Sequence, residues 1–377
     1  MGHGKDEVHD MLRGEVRSCV SRGMRSPRTR DAITPGGVRE RLGVMAGAGY
    51  LGILVPATAG GEGGGWQEAA IIVEETAGAE PVLALMLSAH LACCYGITLW
   101  AAGEQQGRLL PPLAGGTTLG GVALTEPEAG TDYDAVRTRV ERGGEDLAIN
   151  GNKCFVTNTG PELESGILTI ARGEAGLAAV YVPGDAPGFH LVHHYRFAGW
   201  DNLPNHAVLL QDCTVPVRNM LREGMGRDDL QPLLAGGRLL AVAVAAGMSA
   251  ACLHEASSYA KERKQGGRSL VEHQALHFRL ADMATCVTSM RTCLLQAAAC
   301  MDEGRPCLRE IDMLKLFSTS RLEEIASAAL EMAGAYGYTT DSALSSLYRD
   351  AKGLQFYWGS RDLMRMEIAA GLGLDIL

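Results

Sequence analysis

Two segments of the chain combine hydroxyls, small residues and an aromatic in a pattern that could hold a flat polar ring. The first, Leu124-Thr125-Glu126-Pro127-Glu128-Ala129-Gly130-Thr131-Asp132, reads as a strand ending in a Pro/Gly turn with open backbone N–H groups and hydroxyls. The second, Asn150-Gly151-Asn152-Lys153-Cys154-Phe155-Val156-Thr157-Asn158, reads as a turn followed by a short strand carrying an aromatic and a threonine. Together they could bind such a ring through main-chain hydrogen bonds, with Phe155 as an apolar wall. Two ordinary β-turns account for the same residues on physical grounds alone.

A second pattern, Gly47-Ala48-Gly49-Tyr50-Leu51-Gly52, matches the dinucleotide-binding G-x-G-x-x-G. That motif needs a preceding strand and a following helix whose N-terminus faces a pyrophosphate. Here a charged helical pattern precedes it and Ile53-Leu54-Val55-Pro56 follows, so it reads as a helix cap and turn. No G-x-S-x-G, Walker A or H-E-x-x-H occurs, and no Cys/His cluster has zinc-ligand spacing, so no metal is expected.

The elements that must position these segments fall into three zones. Residues 1–117 carry helical patterns rich in Ala, Leu and Ile. From Thr118 to Arg222, short β-type runs recur between turn signals such as Gly143-Gly144-Glu145-Asp146, Asn150-Gly151 and Pro183-Gly184-Asp185. That spacing predicts a small antiparallel barrel or sandwich over 118–222. Helical patterning returns over 223–377, where Leu276, Leu280, Met283, Val287, Met290 and Leu294 form a bundle-type seam. The order helical, β, helical makes this an α+β chain rather than an alternating βαβ one.

Composition sets the outer limits. The 377 residues include 48 Gly but only 4 Trp, 10 Tyr and 6 Phe, so the core must be built from Ala, Leu, Val and Met. Small residues favour close helix packing and backbone approach to a ligand. The net charge of −10 and the lack of a long Lys/Arg run argue against nucleic acid as a partner. The Arg-rich opening from Arg13 to Arg30 reads as a solvated arm or helix face. Ten cysteines without a C-x-x-C read as small buried residues in a reducing compartment. The start Met1-Gly2-His3-Gly4-Lys5-Asp6 lacks a signal-peptide core, and the apolar run Leu239 to Leu253 is short for a membrane span. A soluble, cytoplasmic protein with no membrane partner is the expectation.

The two ring-holding segments resemble the flavin-binding strands of the acyl-CoA dehydrogenase family. The likeness continues in order through Tyr259-Ala260-Lys261-Glu262-Arg263-Lys264-Gln265, Glu272-His273-Gln274, Leu280-Ala281-Asp282-Met283-Ala284, Gly334-Ala335-Tyr336-Gly337-Tyr338-Thr339 and Tyr348-Arg349-Asp350-Ala351-Lys352. Gly47 to Gly52 also fits that family's first-domain turn. The resemblance implies a helical N-terminal domain, a middle β-barrel, a C-terminal four-helix bundle and a homodimer or homotetramer. It implies FAD, with Leu124, Thr125, Gly130, Thr131, Phe155, Val156 and Thr157 at the flavin end and Ser360 beside the flavin. Arg263, Gln265, His273 and Gln274 match pyrophosphate- and adenine-side positions supplied across the dimer, where a guanidinium suits phosphate oxygens. Gly266 stands where the family usually has an aromatic, and Glu331 where it usually has Gln. An acyl thioester of coenzyme A or a carrier protein is the implied substrate, with an electron-transfer protein as a possible partner.

The family removes an α-proton with a glutamate placed before the Gly-Thr/Ser that follows Arg-Asp-Ala-Lys. Here the sequence is Gln355-Phe356-Tyr357-Trp358-Gly359-Ser360, which puts Trp358 at that position. A minority of the family carries the glutamate one residue before an arginine on the first C-terminal helix, and here that pair is Gly237-Arg238. An indole N–H is no base near neutral pH. In helical numbering Asp362 and Glu367 face away from the 358 direction. Arg238 and Trp358 are therefore read as substrate-side residues, and no catalytic residue is assigned. Three readings follow: a dehydrogenase of atypical chemistry with a role in specialised metabolism; a flavin monooxygenase on the same fold; or a non-redox ligand- or partner-binding homologue.

Overall fold

The computed structural model describes residues 3–22 and 35–374. Helices α1 (His3–Arg22), α2 (Pro35–Gly47), α3 (Trp66–Ala79), α4 (Pro81–Trp100) and α5 (Gly103–Ala114) come first. Pro81 at the start of α4 has no N–H to leave unsatisfied, which lets α4 begin almost where α3 ends. The start of α3 is held from a distant element: Asp302 accepts from the backbone N–H groups of Trp66 (2.5 Å) and Gln67 (3.2 Å). Gly47 closes α2 and Gly49 is left-handed (φ 78°), so the G-x-G-x-x-G is a helix end and turn.

Strands β1 (Leu119–Ala123), β2 (Arg139–Gly143), β3 (Asp146–Thr157), β4 (Ser165–Gly173), β5 (Gly176–Pro183), β6 (Phe189–His194), β7 (Asn205–Pro216) and β8 (Met220–Met225) form one sheet. Its order is β6-β7-β3-β2-β4-β5-β8, with β1 also on β4. Most pairs are antiparallel, as expected, but β1 runs parallel to β4 and β2 meets β4 in parallel at Arg139–Arg172. The Gly143-Gly144-Glu145-Asp146 signal is the β2–β3 hairpin, with Gly144 left-handed at φ 70°. Asn150-Gly151 is not a turn. It lies inside β3, which runs unbroken for 12 residues past two irregularities in its pairing with β7.

After the sheet come α6 (Arg227–Glu262), the small hairpin β9 (Lys264–Gln265) and β10 (Arg268–Ser269), then α7 (Gln274–Asp302), α8 (Leu308–Gly337), α9 (Ala343–Leu354) and α10 (Arg361–Gly371). Helix α6 is central and packs against α3, α4, α7, α8 and α9. Its small residues permit this: a Cβ at Gly247 would lie 2.8 Å from the Ala77 Cβ on α3. The glycine and alanine excess thus goes into close helix contact. On α7 the predicted seam holds, with Met283, Val287, Met290 and Leu294 buried.

Two sequence expectations change. Helices α4 and α6 are each long and apolar enough to cross a membrane, longer than the run at 239–253 suggested, yet both are mostly buried inside the fold. At the start of the Arg-rich opening Arg17 is exposed, as a solvated face requires, but Arg13 is largely buried. Arg13 pairs with Glu74 (2.8 Å) and Glu75 (2.6 Å), and Arg17 with Glu75 (2.6 Å), because buried carboxylates on α3 need counter-charges. The rest of that opening, 23–30, lies outside the described residues, as do Met1 and Gly2.

Candidate functional site

The turn that follows β1 is fixed from beneath by a buried ion pair. Lys153 on β3 is fully buried, and its Nζ donates to Glu126 Oε1 (2.7 Å), Ile170 O (2.6 Å) and Leu124 O (3.2 Å). Glu126 also accepts from the backbone N–H groups of Arg137 (2.6 Å) and Thr138 (3.0 Å). Burial pushes the Glu126 carboxyl up, but Lys153 and these donors outweigh it and hold the group below its usual range. The Lys153 ammonium has three acceptors and Glu126 three donors, which ties the turn from Leu124 to Thr131 to β3 and β4.

Strand β3 joins the same wall. Cys154 N–H donates to Thr125 O (2.8 Å), tying the two sequence segments together. The irregularity between Lys153 and Val156 leaves Phe155 left-handed (φ 57°) with its ring exposed and lying against Tyr195, centroids 4.4 Å apart. Asn205 Nδ2 donates to Phe155 O (3.1 Å) and Thr157 Oγ1 (3.0 Å) and so fixes both.

The opposite wall is the turn between α9 and α10. Asp350 accepts from Trp200 N–H (2.5 Å), anchoring the indole of Trp200 near Gly353. Tyr357 OH lies 3.0 Å from Ser88 Oγ on α4, and Ser360 Oγ caps α10 by accepting from Leu363 N–H (3.2 Å). Trp358 is left-handed (φ 56°), a conformation a large side chain adopts only under constraint. The constraint is visible: Arg238 Nε donates to Trp358 O (3.4 Å), and Lys315 Nζ donates to Gly359 O. Both cations are fully buried. Arg238 pairs with Asp312 and Glu367, each at 2.7 Å. Burial lowers Lys315 to about 7 and raises Asp312 to about 7.

These walls enclose a cavity of about 530 Å³. One side is polar and aromatic: Thr125, Gly130, Thr131, Cys154, Phe155, Thr157, Asn205 and Ser360. The other is apolar, with Leu85 and Ala89 from α4, Val122, Leu234 from α6, and Trp358. Trp200 Nε1 and Asn205 Oδ1, both of residues lining the cavity, are buried without a hydrogen-bond partner. Among the described residues, none that lines the cavity is a carboxylate. Tyr133 and Tyr357 do line it, and burial pushes both hydroxyls up, so they are protonated donors at neutral pH. Such a site can hold a flat heterocycle beside an apolar group.

Most of the residues picked out by sequence meet here. Leu124, Thr125, Gly130, Thr131, Phe155, Thr157, Trp358 and Ser360 all line the cavity. Val156 does not: its side chain points into the sheet core because neighbours on a strand face opposite ways. Arg238 does not line the cavity either: its Nε and Nη1 reach the Trp358 carbonyl, Asp312 and Glu367, while its Nη2 is buried without a hydrogen-bond partner. Arg263, Gln265, His273 and Gln274 lie away from the cavity, on and just after the β9–β10 hairpin, where all but the half-buried His273 are exposed. Glu331 is exposed and paired with Arg279 (3.2 Å). Asp362 faces solvent beside Arg365 and Glu367 pairs with Arg238; neither lines the cavity. Lys153, Glu126, Asn205 and Trp200 went unassigned from sequence. A lysine and a glutamate in two segments expected to meet was the available signal for the first pair.

Family models match three stretches of the chain: the N-terminal, middle and C-terminal domains of acyl-CoA dehydrogenase over residues 6–117, 121–213 and 224–373. The acryloyl-CoA reductase (NADH) of Anaerotignum propionicum is 33% identical over 339 residues, 88% of this chain and 85% of the relative. Butyryl-CoA dehydrogenase from Megasphaera elsdenii superposes with a TM-score of 0.89 at 27% identity, covering 97% of this chain and 98% of that one. The prolyl acyl carrier protein oxidase AnaB superposes with a TM-score of 0.87 at 25% identity, covering 97% and 99%.

Proposed function

The chain belongs to the acyl-CoA dehydrogenase family, and on that premise we propose that it is an FAD-dependent oxidoreductase acting on an acyl thioester of coenzyme A or a carrier protein. One observation carries the reading: a single cavity joins a polar, hydroxyl-lined wall to an apolar wall. The residues fit the cofactor. The unpartnered donor of Trp200 and acceptor of Asn205, the hydroxyls of Thr125, Thr131 and Thr157, and the open face of Phe155 suit a flat ring with both donors and acceptors.

FAD supplies the two-electron redox centre when bound. Leu124, Thr125, Gly130, Thr131, Phe155, Thr157 and Ser360 would hold its ring, with Val156 contributing backbone only. Arg263, Gln265, His273 and Gln274 would serve the phosphate and adenine end of the cofactor of a second copy in a homodimer or homotetramer. The exposure of Arg263, Gln265 and Gln274 suits that role. An electron-transfer protein would be the redox partner.

Trp358 makes the proton chemistry atypical. With an indole at the family's base position and no carboxylate lining the cavity among the described residues, removal of an α-proton must rest on the substrate's own acidity or on solvent. The same feature favours a second reading, a flavin monooxygenase, which needs a dry pocket more than a carboxylate.

The test is spectroscopic. The purified oligomer should be yellow, and acyl-CoA should bleach the flavin band anaerobically. FAD-loaded protein that stays yellow with acyl-CoA of every chain length refutes the dehydrogenase reading. Oxygen-dependent product formation with externally reduced flavin would then favour the monooxygenase. Colourless protein that takes up no FAD at micromolar concentration would leave the non-redox reading.

A further inference from the structure

We infer that Trp358, seated on Gly237, is the specificity-determining plug that limits this site to short acyl groups. The inference rests on the thioester reading above and names its substrate class. Leu234 lines the apolar wall of the cavity, and Gly237 lies three residues on, on the same face of α6. At that point the wall is occupied. A Cβ at residue 237 would fall 2.6 Å from Trp358 Cε3 and closer still to Cδ2 and Cε2. The indole therefore lies flat on the glycine, in space that any other residue at 237 would deny it. The two positions are size-complementary: the largest side chain faces the smallest.

The ring is also braced rather than loosely placed. Its left-handed backbone is held by Arg238 on the Trp358 carbonyl and by Lys315 on the next one, and both cations are buried. These two contacts fix the backbone from which the indole projects, and the glycine opposite leaves the ring its seat. The indole thus takes up room beside Leu85, Ala89 and Leu234 that a longer acyl chain would need.

The experiment uses the FAD-loaded protein and a ladder of S-acyl-pantetheine thioesters, from acetyl through butyryl and hexanoyl to octanoyl. Pantetheine is the arm that coenzyme A and carrier proteins share. Affinities are read by anaerobic calorimetry for the parent and for Trp358→Ala. The parent should bind the shortest members and lose affinity beyond them. Trp358→Ala should gain affinity for the longer members, roughly tenfold for every two methylenes admitted. Trp358→Leu carries the same test, with a smaller gain, should the alanine variant not fold. Gly237→Ala should disturb the parent strongly yet be tolerated in the Trp358→Ala background, because the clash is with the indole.

Equal binding of all lengths by the parent, or an unchanged length profile in both Trp358 variants, overturns the inference while leaving the thioester reading intact. Failure of parent and variants alike to bind any member overturns the thioester reading and the inference with it.

Discussion

Replacing Lys153 with Met should cost the protein both stability and its hold on the cofactor. Methionine keeps the apolar stem but removes the charge from a fully buried position. Glu126 would then sit buried beside two backbone donors without its cation, and the Leu124 and Ile170 carbonyls would each lose an N–H. Breaking one side of a buried pair costs about 3–5 kcal/mol. For a domain of ordinary size that lowers the thermal midpoint by on the order of 10 °C. The turn from Leu124 to Thr131 would also loosen, and two lost hydrogen bonds of about 1 kcal/mol each weaken FAD binding roughly thirtyfold. Thermal scans of the apo protein and FAD titration by flavin fluorescence read the two effects separately. Adding Glu126→Gln should restore part of the stability, since the stranded charge is gone. A Lys153→Met protein that melts within about 2 °C of the parent and binds FAD as tightly would refute the role given to this pair.

His90 should set an acid limit on stability. It is buried on α4, with Nδ1 accepting from Gly120 N–H (3.0 Å) and Nε2 donating to Leu51 O (3.2 Å), and burial lowers it to about 4. Its folded value lies below the unfolded one near 6.5, so its contribution is complete above that pH and lost as pH falls toward 4, about 3 kcal/mol in all. Unfolding free energies from denaturant titrations should fall by that amount between pH 7 and 4, and His90→Gln should flatten this limb while lowering stability at pH 7. At the cavity, Trp358→Glu should raise acyl-CoA dehydrogenation by about 10²–10⁴-fold, the usual worth of a placed general base. Flavin bleaching rates measure it, and no gain in a folded, FAD-loaded variant would show that more than the base differs from the family.

Much of the architecture was legible in the sequence because it follows from patterning. The helical, β, helical order and the α7 seam come from the spacing of apolar residues, which decides what can be buried. The Gly144 hairpin and the cap at Gly47–Gly49 come from backbone conformations that glycine adopts freely. The cavity wall formed by Thr125, Thr131, Phe155 and Thr157 was legible for the same reason, as a strand and turn with hydroxyls left over. Sequence reading failed where a residue's partner lies far along the chain. Asn150-Gly151 reads as a turn, yet pairing with β7 keeps β3 running through it. Arg13 reads as solvated, yet buried carboxylates on α3 claim it. Arg238 reads as a substrate-side residue, yet Asp312 and Glu367, the latter 129 residues away, claim it.

The sequence by itself determined the order of the zones and the family. Periodicity and local motif are properties of neighbours in the chain, so they survive without a structure. Only the tertiary structure decided what Trp358 rests on. Gly237 is 121 positions away, and neither residue's size explains itself alone. Packed together on α6 they do: the missing Cβ makes the room, and the indole fills it. Steric complementarity of this kind depends on which surfaces folding brings into contact, and no run of residues carries it.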